Sequence, residues 1–217
     1  MKKDLTELVF ILDMSGSMES LTDDTIGGFN SILREQSEKD GEVLVSTYLF
    51  NDRSRLLHDR LPIADVAPMS RKDYRAAGCT ALADTLGDAI RHIVDIHRYA
   101  REEDIPAHTL FVITTDGMEN ASSRYSSEQI GHMIRHEEEK YGWEFVFLAA
   151  NIDAVETASR YGIGRERAVD YVSDPIGTGA VYRSINCAIG NVRRGRRLKE
   201  SAEWREATDQ DFHKRGK

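Results

Sequence analysis

Three short stretches set small oxygen-bearing side chains beside apolar runs. Asp13-Met-Ser15-Gly-Ser17 follows the run from Glu7 to Leu12, Gly78-Cys-Thr80-Ala precedes a helical segment, and Thr115-Asp116-Gly117 closes a run that begins at Thr109. The donors are carboxylates and hydroxyls, which suit a hard cation such as Mg²⁺, Mn²⁺ or Ca²⁺ and fit zinc or copper poorly. In Asp13-x-Ser15-x-Ser17 the alternation puts three oxygens on one side of a turn, with Gly16 relieving crowding where the backbone bends. Any one stretch is weak evidence, because Asp and Ser are common helix caps. Three together, in this order, are specific.

Other chemistries fit less well. An EF-hand over Asp13–Asp24 would carry Met18 where the loop needs Gly and Asp24 where it needs Glu. His132 and His136 share one helical face but lack the intervening Glu of a zincin, so they read as a solvated face beside Glu137. Neither a phosphate-binding Gly-x-x-x-x-Gly-Lys-Ser/Thr loop nor a Gly-x-Ser-x-Gly elbow occurs. The remaining enzyme reading is a metal-dependent hydrolase or phosphatase using Asp13. A haloacid-dehalogenase-type site would need a second Asp where Ser15 stands.

Positioning these side chains falls to alternating strands and helices. Continuous apolar runs at 7–13, 43–50, 109–116 and 143–150 have the composition of strands buried on both faces. Between them, 20–38, 81–101 and 126–140 carry helical periodicity. The alternation predicts an α/β fold of three layers: a doubly wound, mostly parallel sheet with helices on both faces. Residues 53–61 read as one antiparallel edge strand. A helix at 151–161 capped by Asp153, a short strand at 168–172 and a helix at 177–188 complete the expected domain over 1–190. Ligands of such sheets bind beyond the carboxyl ends of the strands, where all three stretches lie.

This combination resembles the metal-ion-dependent adhesion site (MIDAS) of the von Willebrand factor type A family, over residues 5–190. The likeness is nearest to intracellular bacterial and phage-type members through Gly27-Gly-Phe-Asn30, Asp116-Gly-Met-Glu-Asn120-Ala-Ser and Trp143-Glu-Phe-Val-Phe-Leu-Ala-Ala-Asn151-Ile-Asp153-Ala. The resemblance implies that Ser15, Ser17 and Thr80 bind a metal through hydroxyls, with Asp13 and Asp116 acting directly or through water. It implies a binding module in which Mg²⁺, or Mn²⁺ or Ca²⁺, coordinates an Asp or Glu of a partner protein. Asn151 and Asp153 would sit near the rim, where Asp153 could equally cap a helix.

Composition bounds the rest. With 217 residues, 40% hydrophobic and 30% charged, the chain fits one ordinary globular domain with a modest appendage. No apolar run approaches the roughly 20 residues of a membrane span, and the opening lacks a signal-peptide core, so a cytoplasmic location is expected. Cys79 and Cys187 lie far apart and read as free thiols, Cys79 as a small buried filler. The net charge of −8 is uneven: residues 191–217 carry +4, leaving −12 on the body. That basic tail, expected to be partly helical or disordered, could attract phosphates through Arg193, Arg194, Arg196 and Arg197. The acidic whole and the lack of a recognition motif argue against nucleic acid as a partner.

Overall fold

In the computed structural model, which describes residues 1–216, one six-stranded sheet forms the middle layer. Its strands are β1 (Lys2–Asp13), β2 (Glu42–Phe50), β3 (Ser54–Pro62), β4 (Pro106–Thr115), β5 (Glu144–Ala150) and β6 (Ala168–Tyr171). They lie in the order β3-β2-β1-β4-β5-β6, every pairing parallel except β2 with β3. The single antiparallel strand is the edge strand expected after Asn51-Asp52.

Period-two alternation divides the strand residues between two cores. Leu8, Phe10 and Leu12 pack with Phe29 and Ile32 of α1 (Thr22–Ser37) and Ile185 and Ile189 of α5 (Pro175–Arg193). Val9 and Ile11 pack instead with Leu86 and Ile90 of α2 (Leu82–Tyr99), Ile130 and Ile134 of α3 (Ser127–Tyr141), and Ala154 of α4 (Ala154–Arg160). Each such side chain contributes about 1.5–3 kcal/mol by leaving water. This double burial is why the strands read as unbroken apolar runs.

The Gly27-Gly-Phe-Asn30 motif does structural work on α1. A Cβ on Gly28 would stand 2.2 Å from the Tyr182 ring, so glycine lets α1 and α5 approach. Phe29 meets Phe10 edge-on, with ring centroids 5.2 Å apart. The Asn30 amide donates to the Met69 carbonyl (2.9 Å) and accepts from the Met69 N–H (2.8 Å), anchoring the irregular segment after β3.

One buried charge interrupts the apolar strands. Glu7 is fully buried in β1, where its carboxylate accepts from Arg60 Nε (2.6 Å) and lies 2.6 Å from His97 Nε2. Such a carboxylate persists only because both oxygens are partnered. His97, read from sequence as a helix-surface or core-edge residue, is the α2 side of this cluster.

Basic residues beyond 190 are tied to the rest of the chain. α5 continues to Arg193, and the last helix, α6, spans Glu206–Arg215. Leu198 and Trp204 are buried in the core shared by α1 and α5. Arg193 donates to the carbonyls of Gln36 (2.8 Å) and Lys39 (3.2 Å) at the end of α1. Arg197 reaches the Gly142 carbonyl (3.2 Å) and Glu144 (3.4 Å). Among the described residues, no helix is long and apolar enough to cross a membrane.

Candidate metal centre

Parallel neighbours end at the same edge, and β1 and β4 are adjacent with Leu12 opposite Thr114. Asp13 and Asp116 therefore emerge side by side. Thr80 arrives because the chain before α2 is laid against the first loop. Gly16 N–H donates to the Gly78 carbonyl (3.1 Å), Ala77 N–H to the Met14 carbonyl (2.9 Å) and Ala81 N–H to the Asn51 carbonyl (2.7 Å). Gly78 makes that path possible: its φ is +80°, and a Cβ there would lie 2.2 Å from Asp52 Oδ1.

All five predicted donors meet at this edge. Asp13 is held rigidly, Oδ1 accepting from Ser15 N–H (2.7 Å) and Oδ2 from the Thr115 hydroxyl (2.6 Å). The hydroxyls of Ser15 and Ser17 are 3.1 Å apart, and that of Ser17 donates to Asp116 Oδ1 at 2.5 Å. A Cβ on Gly117 would stand 3.4 Å from Thr80 Oγ1 and 3.7 Å from Ser17 Oγ, so these two hydroxyls flank one point. Asp13, Ser15, Thr80 and Asp116 are buried while Ser17 is exposed, which opens the cluster to solvent on one side.

Electrostatically the cluster suits a cation. Burial raises the Asp13 carboxyl above its ordinary range, hydrogen bonds from Thr115 and Ser15 oppose it, and the Asp116 charge raises it further. Burial likewise raises Asp116, against the Ser17 hydroxyl. No Lys, Arg or His among the described residues forms an ion pair with either. Asp116 Oδ2 is buried with no hydrogen-bond partner among the described residues, an orphaned anionic oxygen of the kind a hard cation satisfies. Among the described residues no three His, Cys, Asp or Glu side chains gather in metal-binding geometry, so a site here must draw on hydroxyls.

The supporting residues were less visible from sequence. The Tyr74 hydroxyl donates to the Asp13 carbonyl from a segment with no periodic pattern. Glu119 accepts from Ala83 N–H (2.8 Å), Ala121 N–H (2.9 Å) and Ser122 N–H (2.8 Å), binding the loop after β4 to the start of α2. Thr115 and Asn120 lie in stretches already conspicuous for Asp116, and that adjacency was their only signal.

The rim residues divide. Asp153 caps α4 by accepting from Glu156 N–H at 2.7 Å. Asn151 is exposed with φ +58°. Both line a hollow at the ends of β5 and β6, and among the described residues neither bonds to the five donors. Cys79 is exposed, contrary to its reading as a buried filler, because the loop turns its flank outward while Thr80 faces in. His132 and His136 are exposed on α3, as a solvated face requires.

The sequence matches no family model and no curated protein. Its architecture is that of von Willebrand factor type A domains. A von Willebrand factor type A structure from Catenulispora acidiphila shares 15% identity, covering 83% of this chain and 41% of its own, with TM-score 0.53. Proximal thread matrix protein 1 from the mussel byssus, with a zinc-occupied MIDAS motif, shares 16%, covering 83% and 44%, with TM-score 0.56. A variant of the PilB minor pilin from Streptococcus sanguinis shares 10%, covering 92% and 62%, with TM-score 0.59. The chain thus spans about half the length of these proteins, and at such identities the likeness is one of fold.

Proposed function

We propose that Asp13, Ser15, Ser17, Thr80 and Asp116 hold a divalent cation, Mg²⁺ first with Mn²⁺ or Ca²⁺ as substitutes, and that the site docks an acidic side chain of a partner protein. The observation that carries this reading is Asp116 Oδ2, buried and unpartnered amid three convergent hydroxyls. The zinc-occupied MIDAS of the mussel protein, on the same fold, supports it.

When bound, the cation supplies a positive centre able to accept a carboxylate oxygen. The chain's own residues do the rest. Thr115 and Ser15 N–H fix the Asp13 carboxylate, so it holds its orientation without rearranging. Three neutral hydroxyls add little negative charge, which leaves room for an anionic ligand. Gly117 keeps side-chain bulk away from the point between Ser17 and Thr80, and the exposed flank at Ser17 admits the incoming group. Hydrolysis through Asp13 gains no support, since Ser15 stands where a haloacid-dehalogenase-type site needs a second Asp.

The test is capture on immobilised protein in millimolar Mg²⁺. A partner should be retained, then released by chelator, by Asp13→Ala, and by competing peptides that carry Asp or Glu; their Asn or Gln counterparts should fail to compete. Retention indifferent to chelator and to Asp13→Ala would overturn the reading.

A further inference from the structure

A separate cavity lies at the opposite end of the sheet. It has a volume of about 640 Å³ and opens between the last turns of α2 and α3, over the start of β4 and Trp143. That volume falls in the roughly 300–1,000 Å³ span of small-molecule sites. Thr109, in its wall, stands roughly 20 Å along β4 from the Thr115 end, at about 3.3 Å per residue. The cavity is therefore separate from the oxygen cluster.

Val94, Ile105, Pro106, Trp143 and Tyr141 give its walls an apolar and aromatic part, and charged side chains stand around them. Two lining residues carry buried oxygens that lack any partner among the described residues: Thr109 Oγ1 and Glu137 Oε2. The Glu137 side chain is only 6% exposed, and its one polar contact among the described residues is His136 Nδ1, 2.9 Å from the other oxygen, Oε1. A buried carboxylate oxygen calls for a donor, a buried hydroxyl can accept from the same one, and a positively charged donor bonds most strongly. Both flanking helices also end here, at Tyr99 and Tyr141, so their carbonyl ends add partial negative charge.

The protein's own cations around the mouth lie against other groups. Lys140 lies over the Tyr141 ring, 5.0 Å from its centroid, Arg98 pairs with Asp95 at 3.5 Å, and the Met1 amine faces Glu102 at 3.8 Å. His97 turns its Nε2 to Glu7 and its ring edge-on to Trp143. None of them reaches Glu137 Oε2.

We propose that this cavity binds a small organic cation, a protonated amine on an apolar or aromatic body, with Glu137 and Thr109 receiving the ammonium and Trp143 lining the space for the body. The inference is independent of the metal reading, and its test is run in chelator. The probe is 2-phenylethylamine titrated into the full chain, followed by Trp emission and melting temperature, with neutral 2-phenylethanol as control. The amine should bind saturably, raise the melting temperature, and bind at least about tenfold tighter than the alcohol, as expected for a charge-assisted hydrogen bond. Glu137→Gln should abolish that preference while the alcohol still binds, and Thr109→Val should weaken the amine alone. Equal binding of amine and alcohol by the unaltered chain, no saturable amine binding, or a preference that survives Glu137→Gln would each overturn the proposal. The comparison on the unaltered chain decides the matter even if Glu137→Gln does not fold.

Discussion

Thr80 and Asn120 exchange two hydrogen bonds: Thr80 N–H donates to Asn120 Oδ1 at 2.9 Å, and Asn120 N–H donates back to the Thr80 carbonyl at 3.1 Å. The same carbonyl accepts from Ala121 N–H at 3.2 Å. This clasp joins the loop that bears Thr80 to the loop that bears Asp116.

Replacing Asn120 should weaken metal binding although Asn120 is not among the proposed ligands. Asn120→Ala removes one side-chain acceptor, a change of about 1 kcal/mol, which through Thr80 placement corresponds to a several-fold loss of Mn²⁺ affinity. Calorimetric titration measures it. Asn120→Asp keeps an acceptor at the same place and should restore much of the loss; equal affinity in Asn120→Ala would show that the clasp does not position Thr80.

Asp116→Asn should act oppositely with and without metal. Asp13 and Asp116 are two buried carboxyls, and the Asp116 charge raises the Asp13 carboxyl. Removing that charge relieves repulsion, so in chelator the variant should melt at the same temperature or higher. With metal, the unaltered chain should gain about 2.7 kcal/mol at a concentration one hundred times Kd, and the variant should gain almost none. Melting curves in chelator and in millimolar Mg²⁺ or Mn²⁺ separate the two effects. An equal metal response in both proteins would remove Asp116 from the site.

Acid should loosen the loop after β4 through Asp84. Burial by itself would raise its carboxyl, but the N–H groups of Ser123, Tyr125 and Arg124, with the Arg124 charge, outweigh burial and hold it below the ordinary 3.8. A carboxyl lowered by folding contributes stability that is fully present above its unfolded value and is lost as pH falls through its folded one. Asp84→Asn should therefore cost about 1–3 kcal/mol at neutral pH, a gap that narrows below about pH 4. Urea unfolding at a series of pH values reads this directly, and a gap constant down to about pH 2 would refute the assignment.

What the sequence disclosed follows from burial. β1, β2, β4 and β5 were legible because helices cover both sheet faces and force unbroken apolar runs; of the candidate ligands, Asp13, Ser15, Ser17 and Asp116 were legible because they end or follow such runs, and Thr80 because it precedes the next helical segment. The start of β1 at Lys2 was not, since Lys3 and Asp4 are exposed and carry no apolar signal. The side chains of Tyr74 and Asn120 each act through one hydrogen bond to a backbone atom distant in sequence, which no local period encodes. The packing of residues 191–216 was hidden for a related reason: Leu198 and Trp204 stand almost alone among charged residues, so their burial depends on the surface they meet.

That surface yields the last prediction. Trp204 is 1% exposed in the α1 and α5 core, and its Nε1 has no hydrogen-bond partner among the described residues. Its contribution is thus one of shape and apolar area, reinforced nearby where the Thr208 hydroxyl donates to Ser184 Oγ at 2.8 Å. Trp204→Ala should cost about 3–5 kcal/mol by leaving a cavity between the final helix and α5. Trp204→Phe should cost distinctly less, because it keeps most of the ring volume and leaves no acceptor unpaired. Chemical denaturation of both variants tests the point. Equal losses would show that the indole N–H is bonded in solution, and no loss in Trp204→Ala would show that the segment after Arg193 does not pack on the sheet domain.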